Sequence, residues 1–272
     1  MIEILCDSIN TATGIRVTTF LLSEFPKSFL AQLNTHRVFS RNAASSRAIP
    51  VKKTIAKVLN NPFIPTFTRN KKGMQGIDDL SEKEKNEAVK LWKYAIDSAV
   101  SYARALADLG IHKQEVNRLL EPFMYVPVII TATEWTNFFN LRCADDVQPD
   151  FCAIARLMKH LYERSEPKSL APGEWHIPLL QLQDKVCLSL LQNLKISAAR
   201  SARCSLENHL GEFDYEADFE LHDRLIEEMH FSPLEHQCKA LPSDIRCHNL
   251  RSWMSYRAHV EDKLPIRDVV LI

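Results

Sequence analysis

An α+β fold, helix-rich, forming a single domain of residues 1–272 with a small antiparallel sheet, is predicted by three observations. The first residues alternate apolar and polar, most of the later segments repeat at helical spacing, and neither an internal repeat nor a low-complexity tail divides the chain. Residues 1–24 alternate through Ile2, Ile4 and Cys6, then Ile15, Val17, Thr19 and Leu21. With Asn10–Gly14 between the two runs, they read as a β-hairpin. Helices are expected at 26–35, where Phe29, Leu30 and Leu33 share a face, and at 50–60. Pro50 holds Ile49 extended and restarts the chain there. The helix at 81–109 opens on Ser81-Glu82-Lys83-Glu84, a capping box, and carries Val89, Trp92, Ile96, Val100, Ala103 and Leu106 at helical spacing. Between these two helices, residues 61–80 form a basic loop rich in proline and glycine. The apolar run Phe123–Thr131 has strand composition. Further helices are expected at 134–142, 148–164, 180–204, 214–229 and 248–259.

Composition narrows the function. With 46% hydrophobic residues the chain can bury a substantial core, and its 34 basic and 34 acidic residues cancel. Nucleic-acid and membrane-surface binding normally leave a basic excess, so neither partner is expected. Met1–Asp7 is too short and acidic for a signal peptide, and no apolar run approaches the roughly 18 residues of a membrane span. A soluble, cytoplasmic protein is the expectation. Seven cysteines without CxxC spacing fit reduced thiols. The six glycines build neither GxGxxG nor a P-loop, so any nucleotide is gripped by side chains and helix ends.

The segment Thr35–Arg47 concentrates chemistry. It holds three arginines, a histidine, three serines and an asparagine, read as a loop between packed elements. Guanidinium forks pair bidentately with phosphate and hydroxyls fill the remaining lone pairs, so the stretch suits an anionic, oxygen-rich ligand. The plain alternative is a solvated basic loop.

This segment resembles the signature of flavin-dependent thymidylate synthases, Arg-His-Arg-x-x-Ser-x-Asn-Glu-x-Ser-x-Arg-Tyr. His36, Arg37, Ser40, Asn42, Ser45 and Arg47 are in register and Gln32 matches an upstream glutamine. Thr35, Ala43 and Ala48 replace the first Arg, the Glu and the Tyr. A second block, Thr131–Arg142, is similar to Asn-x-Arg-x-x-x-Asn-Phe-x-x-x-Arg, with Asn137 and Arg142 retained and Thr131 and Thr133 departing; Arg118 sits where the family places a phosphate-binding arginine. A third block joins Arg200-Ser201-Ala202-Arg203-Cys204-Ser205, Leu221–Leu225 and His230-Phe231-Ser232-Pro233-Leu234-Glu235-His236. It resembles Arg-x-x-Arg-x-Ser followed by His-x-Thr/Ser-Pro-Phe-Glu-His. That block precedes the others in ordinary members and follows them here, which implies a circular permutation placing the family's N-terminal part at about 197–241.

The resemblance implies transfer of a one-carbon unit from methylenetetrahydrofolate to C5 of dUMP, giving dTMP, with FAD as cofactor and NADPH as reductant, in a homotetramer whose subunits share each site. It implies that Gln32, Ser45, Arg47 and Arg118 hold the nucleotide phosphate and that Arg142 meets the uracil edge as the catalytic residue. His36, Arg37, Asn137, His230, Ser232 and Glu235 are implied to line the flavin, and Ser205 to meet its phosphate beside Arg200 and Arg203. No metal is implied. Ala43 and Thr35 leave open the base, uracil or cytosine, and the group, methyl or hydroxymethyl. The loop Arg69–Lys72, the segment Asn249–Trp253 with Arg251, and Arg257 are candidates to supply the missing charge.

Two readings of other classes compete. His236, Cys238, Cys247 and His248 offer four metal ligands, although their spacing matches no standard zinc pattern. Arg37, Arg41, Arg47 and Phe39 would suit a reader of single-stranded RNA, against which the zero net charge argues.

Overall fold

The computed structural model describes residues 1–72, 76, 79–204 and 214–262. Strands β1 (Ile2–Asn10) and β2 (Arg16–Pro26) form the expected hairpin. Gly14 turns it at φ +70°, a conformation that suits glycine, and its N–H donates to the Asn10 carbonyl at 2.8 Å. After a 3-10 turn at Lys27–Phe29 and the short α1 (Leu30–Leu33), β3 (Ser40–Ala43) pairs antiparallel with β4 (Tyr125–Ala132). With β5 (Lys168–Leu170) added parallel to β1, the sheet runs β3-β4-β2-β1-β5.

Strand β4 explains its own sequence. Nearly every residue is buried, because helices cover both faces, so it reads as a continuous apolar run. Val126, Val128, Ile130 and Ala132 face the main core with Phe20 and Phe25 of β2. That core also takes in Ile96, Val100 and Ala103 of α3 (Glu82–Asp108), and residues of α5 (Thr136–Arg142) and α6 (Pro149–Arg164). The helix α2 (Val51–Asn60) adds Ile55 and Val58 to the same side, and α4 (Lys113–Val116) adds Val116. On the opposite face Ile129 meets Leu21 and Cys204 of α8 (Leu190–Cys204).

The last third of the chain builds the second layer. The strands β6 (Trp175–His176), β7 (Cys238–Ala240) and β10 (Trp253–Ser255) form a three-stranded sheet, with the β8 (Arg246–Cys247) and β9 (Leu250–Arg251) pair beside it. Asn10 fastens the hairpin to this part, its Nδ2 donating to the carbonyls of Leu241 and Ser252 at 2.9 and 3.0 Å. A buried polar chain crosses the same boundary. His176 bonds Ser8 Oγ through Nδ1 (2.9 Å) and Thr19 Oγ1 through Nε2 (2.8 Å). Thr19 meets Thr131 at 2.7 Å, and Thr131 meets His236 Nδ1 at 2.8 Å.

Four expectations are corrected. The 35–47 stretch is not all loop: Ser40–Ala43 is an edge strand whose polar composition hides it. The 180–204 helix is two, α7 (Leu182–Cys187) and α8, with Leu188 extended between them. A second N-cap causes the break: the Ser189 N–H donates to Gln192 Oε1 at 2.9 Å and the Gln192 N–H to Ser189 Oγ at 3.3 Å. The 248–259 segment is β9 and β10 followed by the short α10 (Tyr256–Glu261). His248 and Ser252 adopt φ +51° and +64°, which no helix accommodates, and Ser255 caps α10 through the Ala258 N–H. The 26–35 helix is shorter than expected, a 3-10 turn and one α-helical turn. α9 (Tyr215–Glu227) forms within its expected range. No described helix is long and apolar enough to cross a membrane.

Candidate active site

A cleft of about 600 Å³ opens where the end of β3 meets the second layer. Asn42, Ser45 and Arg47 line it from β3 and the loop that follows, and Arg224, Glu228, His230 and Ser232 from the last third of the chain. Leu221, Leu225 and Pro233 add apolar lining. The juxtaposition follows from packing: α8 and the 3-10 turn Ser232–Glu235 lie on β3, and Asn42 Nδ2 donates to the Ser201 carbonyl at 3.4 Å. Described residues of the 197–241 segment therefore pack on β3.

The loop after β3 is held by named contacts. Asn117 is buried and donates through Nδ2 to the carbonyls of Ser46 (2.7 Å) and Ile49 (2.8 Å). Lys113 Nζ donates to the Ala48 carbonyl at 3.1 Å, and Ser46 Oγ donates to Glu121. These contacts leave Arg47 exposed, without a hydrogen bond or ion pair among the described residues. A guanidinium fixed at its base and free at its tip is arranged to receive an anion.

Arg142 stands at the other end of β3. Its Nε donates to His36 Nε2 at 3.1 Å, and its Nη2 donates to the Gln32 carbonyl (3.2 Å) and Thr35 Oγ1 (3.3 Å). The guanidinium lies 4.9 Å from the Phe151 ring centroid. Nη1 has no partner among the described residues, so Arg142 presents a free two-donor edge. Burial, with the charges of Arg142 and Arg41 adding, lowers the His36 pKa to about 4. His36 is therefore neutral and accepts at Nε2, which places its proton on Nδ1. Thr35, in place of the pattern's arginine, is here a support for Arg142.

The remaining predicted residues separate. Arg37 is exposed beside His36. Glu235 accepts from Arg257 Nη1 at 2.6 Å, and Arg257 also pairs with Glu261. Burial lowers the Arg41 pKa and the charge of Glu235 opposes that shift, which puts the two groups within electrostatic reach. Asn137 lines a different cleft with Thr133, Tyr162 and Arg251. Arg118 is exposed and lies 3.9 Å from Glu115. Ser205 lies outside the described residues. Its expected neighbour Arg200 is fully buried and pairs with Asp184 and with Asp218 (3.3 Å), locking α7, α8 and α9 together, and Arg203 pairs with Asp218 at 2.7 Å.

The departures in the second block have a structural cause. Thr131 Oγ1 is committed to Thr19 and His236, and Thr133 Oγ1 accepts the Arg251 N–H at 3.1 Å. Both positions serve the contact with the last third of the chain. The charge-supplying candidates are also engaged: Arg69 with Asp79 and Glu84, Arg251 with Asp244, and Arg257 with Glu235 and Glu261. Among the described residues no group of three or more His, Cys, Asp or Glu is disposed to hold a metal. His236 of the competing metal reading belongs to the buried polar chain.

Sequence reasoning missed Arg224 as a site residue and Lys113 and Asn117 as loop supports. Arg224 lies between Leu221 and Leu225, which mark the buried stripe of α9, and that spacing was the available signal.

A family model described as thymidylate synthase complementing protein, Thy1, matches residues 13–168. Among solved structures, the chain is similar to a UMP/dUMP methylase, PolB, from Streptomyces cacaoi bound with 5-Br UMP. The identity is 16%, covering 60% of this chain and 88% of that one, with a TM-score of 0.48. It is also similar to a flavin dependent thymidylate synthase, ThyX, from Helicobacter pylori complexed with FAD and dUMP. There the identity is 16%, over 54% of this chain and 70% of that one, with a TM-score of 0.36. No curated protein sequence matches significantly.

Proposed function

We propose a function from one premise: the chain belongs to the thymidylate synthase complementing protein family, the flavin-dependent thymidylate synthases, whose model spans residues 13–168 of its 272. The proposed reaction moves a one-carbon unit from methylenetetrahydrofolate to C5 of dUMP, yielding dTMP, with NADPH as reductant. The observation that carries the proposal is the single cleft lined by Ser45 and Arg47 from the matched region and by His230 and Ser232 from far beyond it.

The donor set fits a flavin and a nucleotide side by side. Arg47 and Ser45 supply a cation and a hydroxyl for a phosphate, while His230 and Ser232 line the same space with apolar side chains that suit a ring system. Bound flavin would supply the reductive and carbon-transfer chemistry. The protein then binds and orients. Arg142, fixed by His36, Gln32 and Thr35, would direct its free Nη1 donors at the uracil edge and stabilise negative charge as C5 becomes nucleophilic. Neutral His36 lets Arg142 approach without facing a second full charge.

Arg142 and Arg47 flank opposite ends of β3, and Asn137 lines a second cleft. This separation supports a site completed between copies of the chain, and a homotetramer is the proposed assembly. The late position of the third block on β3 supports the proposed permutation. Half-buried Ala43 puts no carboxylate where the family pattern has its Glu; Glu121 nearby is engaged by Ser46, and Glu228, which lines the cleft, comes from the end of α9. That observation favours, as a second reading, a cytosine nucleotide or a hydroxymethyl product. Incubating the purified protein with dUMP or dCMP, methylenetetrahydrofolate and NADPH, then identifying the nucleotide product by mass, distinguishes these outcomes. Absence of any modified nucleotide from flavin-loaded protein would sink both.

A further inference from the structure

Two guanidiniums face the cleft without a partner among the described residues. Arg47 is one, and Arg224 is the other. Arg224 stands out within its layer. Arg200 and Arg203 of α8 are neutralised by Asp184 and Asp218, and Lys195 by Asp223 at 2.7 Å. Glu228, one helical turn after Arg224, is the carboxylate placed to neutralise it. Glu228 lines the same cleft, its Oε2 3.6 Å from His230 Nδ1, and forms no ion pair with Arg224 among the described residues. Arg224 is therefore exposed on α9 without an ion pair among the described residues, and it lines one cleft with Arg47, Ser45 and Ser232.

Two arginines against one carboxylate, Glu228, leave the cleft with an excess of positive charge, and its apolar lining of Leu221, Leu225 and Pro233 screens that charge less than water does. A compact anion balances it. Two planar forks in one cleft match the oxygens of a phosphate, and the serine hydroxyls add neutral donors. The family pattern quoted above gives no role to this position.

We propose that Arg224 binds phosphate together with Arg47, so that the cleft selects the dianionic phosphate of a nucleoside monophosphate. The nucleotide identity rests on the function proposed above; the two-arginine clamp rests on the cleft alone. Because the second phosphate ionisation falls near pH 6, binding weakens as pH drops through that value, and removing Arg224 flattens this dependence.

The test is calorimetric titration of the full-length protein, as purified, and of its Arg224→Gln, Arg224→Lys and Arg47→Gln variants. Circular dichroism confirms that each is folded. The ligands are dUMP, deoxyuridine and inorganic pyrophosphate. Arg224→Gln should weaken dUMP about ten- to a hundredfold, leave deoxyuridine unchanged, and be partly rescued by Arg224→Lys. Pyrophosphate should weaken in both Gln variants. Wild-type dUMP affinity in Arg224→Gln overturns the proposal, and so does equal weakening of dUMP and deoxyuridine. A wild-type protein that binds pyrophosphate but not dUMP sinks the nucleotide reading, and Arg224 is then judged on pyrophosphate alone. Binding of neither overturns both.

Discussion

Acidification from pH 7.5 to 5.0 should destabilise this protein through two buried imidazoles, His176 and His236. Both rings are fully buried within the polar chain that joins the sheet to the second layer, and burial lowers each pKa to about 3. The unfolded chain titrates near the ordinary histidine value of about 6.5. A folded pKa below the unfolded one means that between those values the unfolded state binds more protons. The stability is therefore complete above pH 6.5 and is lost as pH falls toward 3. At pH 5.0 the linkage relation gives about 2 kcal/mol per ring, or about 4 kcal/mol for the pair. Other groups also titrate, so the decisive quantity is a difference. His176→Gln should start less stable at pH 7.5, yet lose about 2 kcal/mol less than wild type on going to pH 5.0. Urea unfolding followed by tryptophan fluorescence at the two pH values measures this. Equal losses in both proteins would show that His176 is not held neutral by burial, and the reasoning would fail.

Other expected outcomes concern the site and the frame behind it. Arg47→Ala should weaken dUMP binding by about 1.5–3 kcal/mol, the scale of a charged hydrogen bond, with little change in Tm because the side chain is exposed and unpaired; calorimetry and melting check the two halves. Arg142→Ala should abolish turnover while flavin absorbance survives, since its free donors act on charge that develops only during reaction. Retained turnover would remove Arg142 from the mechanism. Arg200→Met should destabilise the fold by about 3–5 kcal/mol in urea titration, because Asp184 and Asp218 would be left buried without their shared cation. A loss below about 1 kcal/mol would show that those carboxylates find other partners.

Legibility in the sequence followed the range of the interaction. The hairpin, the α3 capping box and the apolar run of β4 are local patterns, and they predicted elements that form. β3 escaped because Ser40, Arg41 and Asn42 resemble a loop; it is a strand because β4 offers it a pairing edge. The break between α7 and α8 was legible in principle, as Ser189 and Gln192 form a second N-cap inside one continuous helical pattern. Ser252 and His248 adopt left-handed backbone that their residue types do not announce. At the site, the resemblance, not the spacing, linked Ser45 and Arg47 to His230 and Ser232. The support of Arg142 by Thr35 and the exposure of Arg224 depend on which neighbours the fold provides, and only coordinates show that.

The central claim is that this cleft performs flavin-dependent carbon transfer to a pyrimidine nucleotide. It is tested most directly by mass analysis of the nucleotide after flavin-loaded protein is incubated with dUMP, methylenetetrahydrofolate and NADPH. The account predicts dTMP from the wild-type protein and none from Arg142→Ala. Unchanged dUMP from a folded, flavin-containing wild-type protein, with dCMP equally untouched, would contradict it.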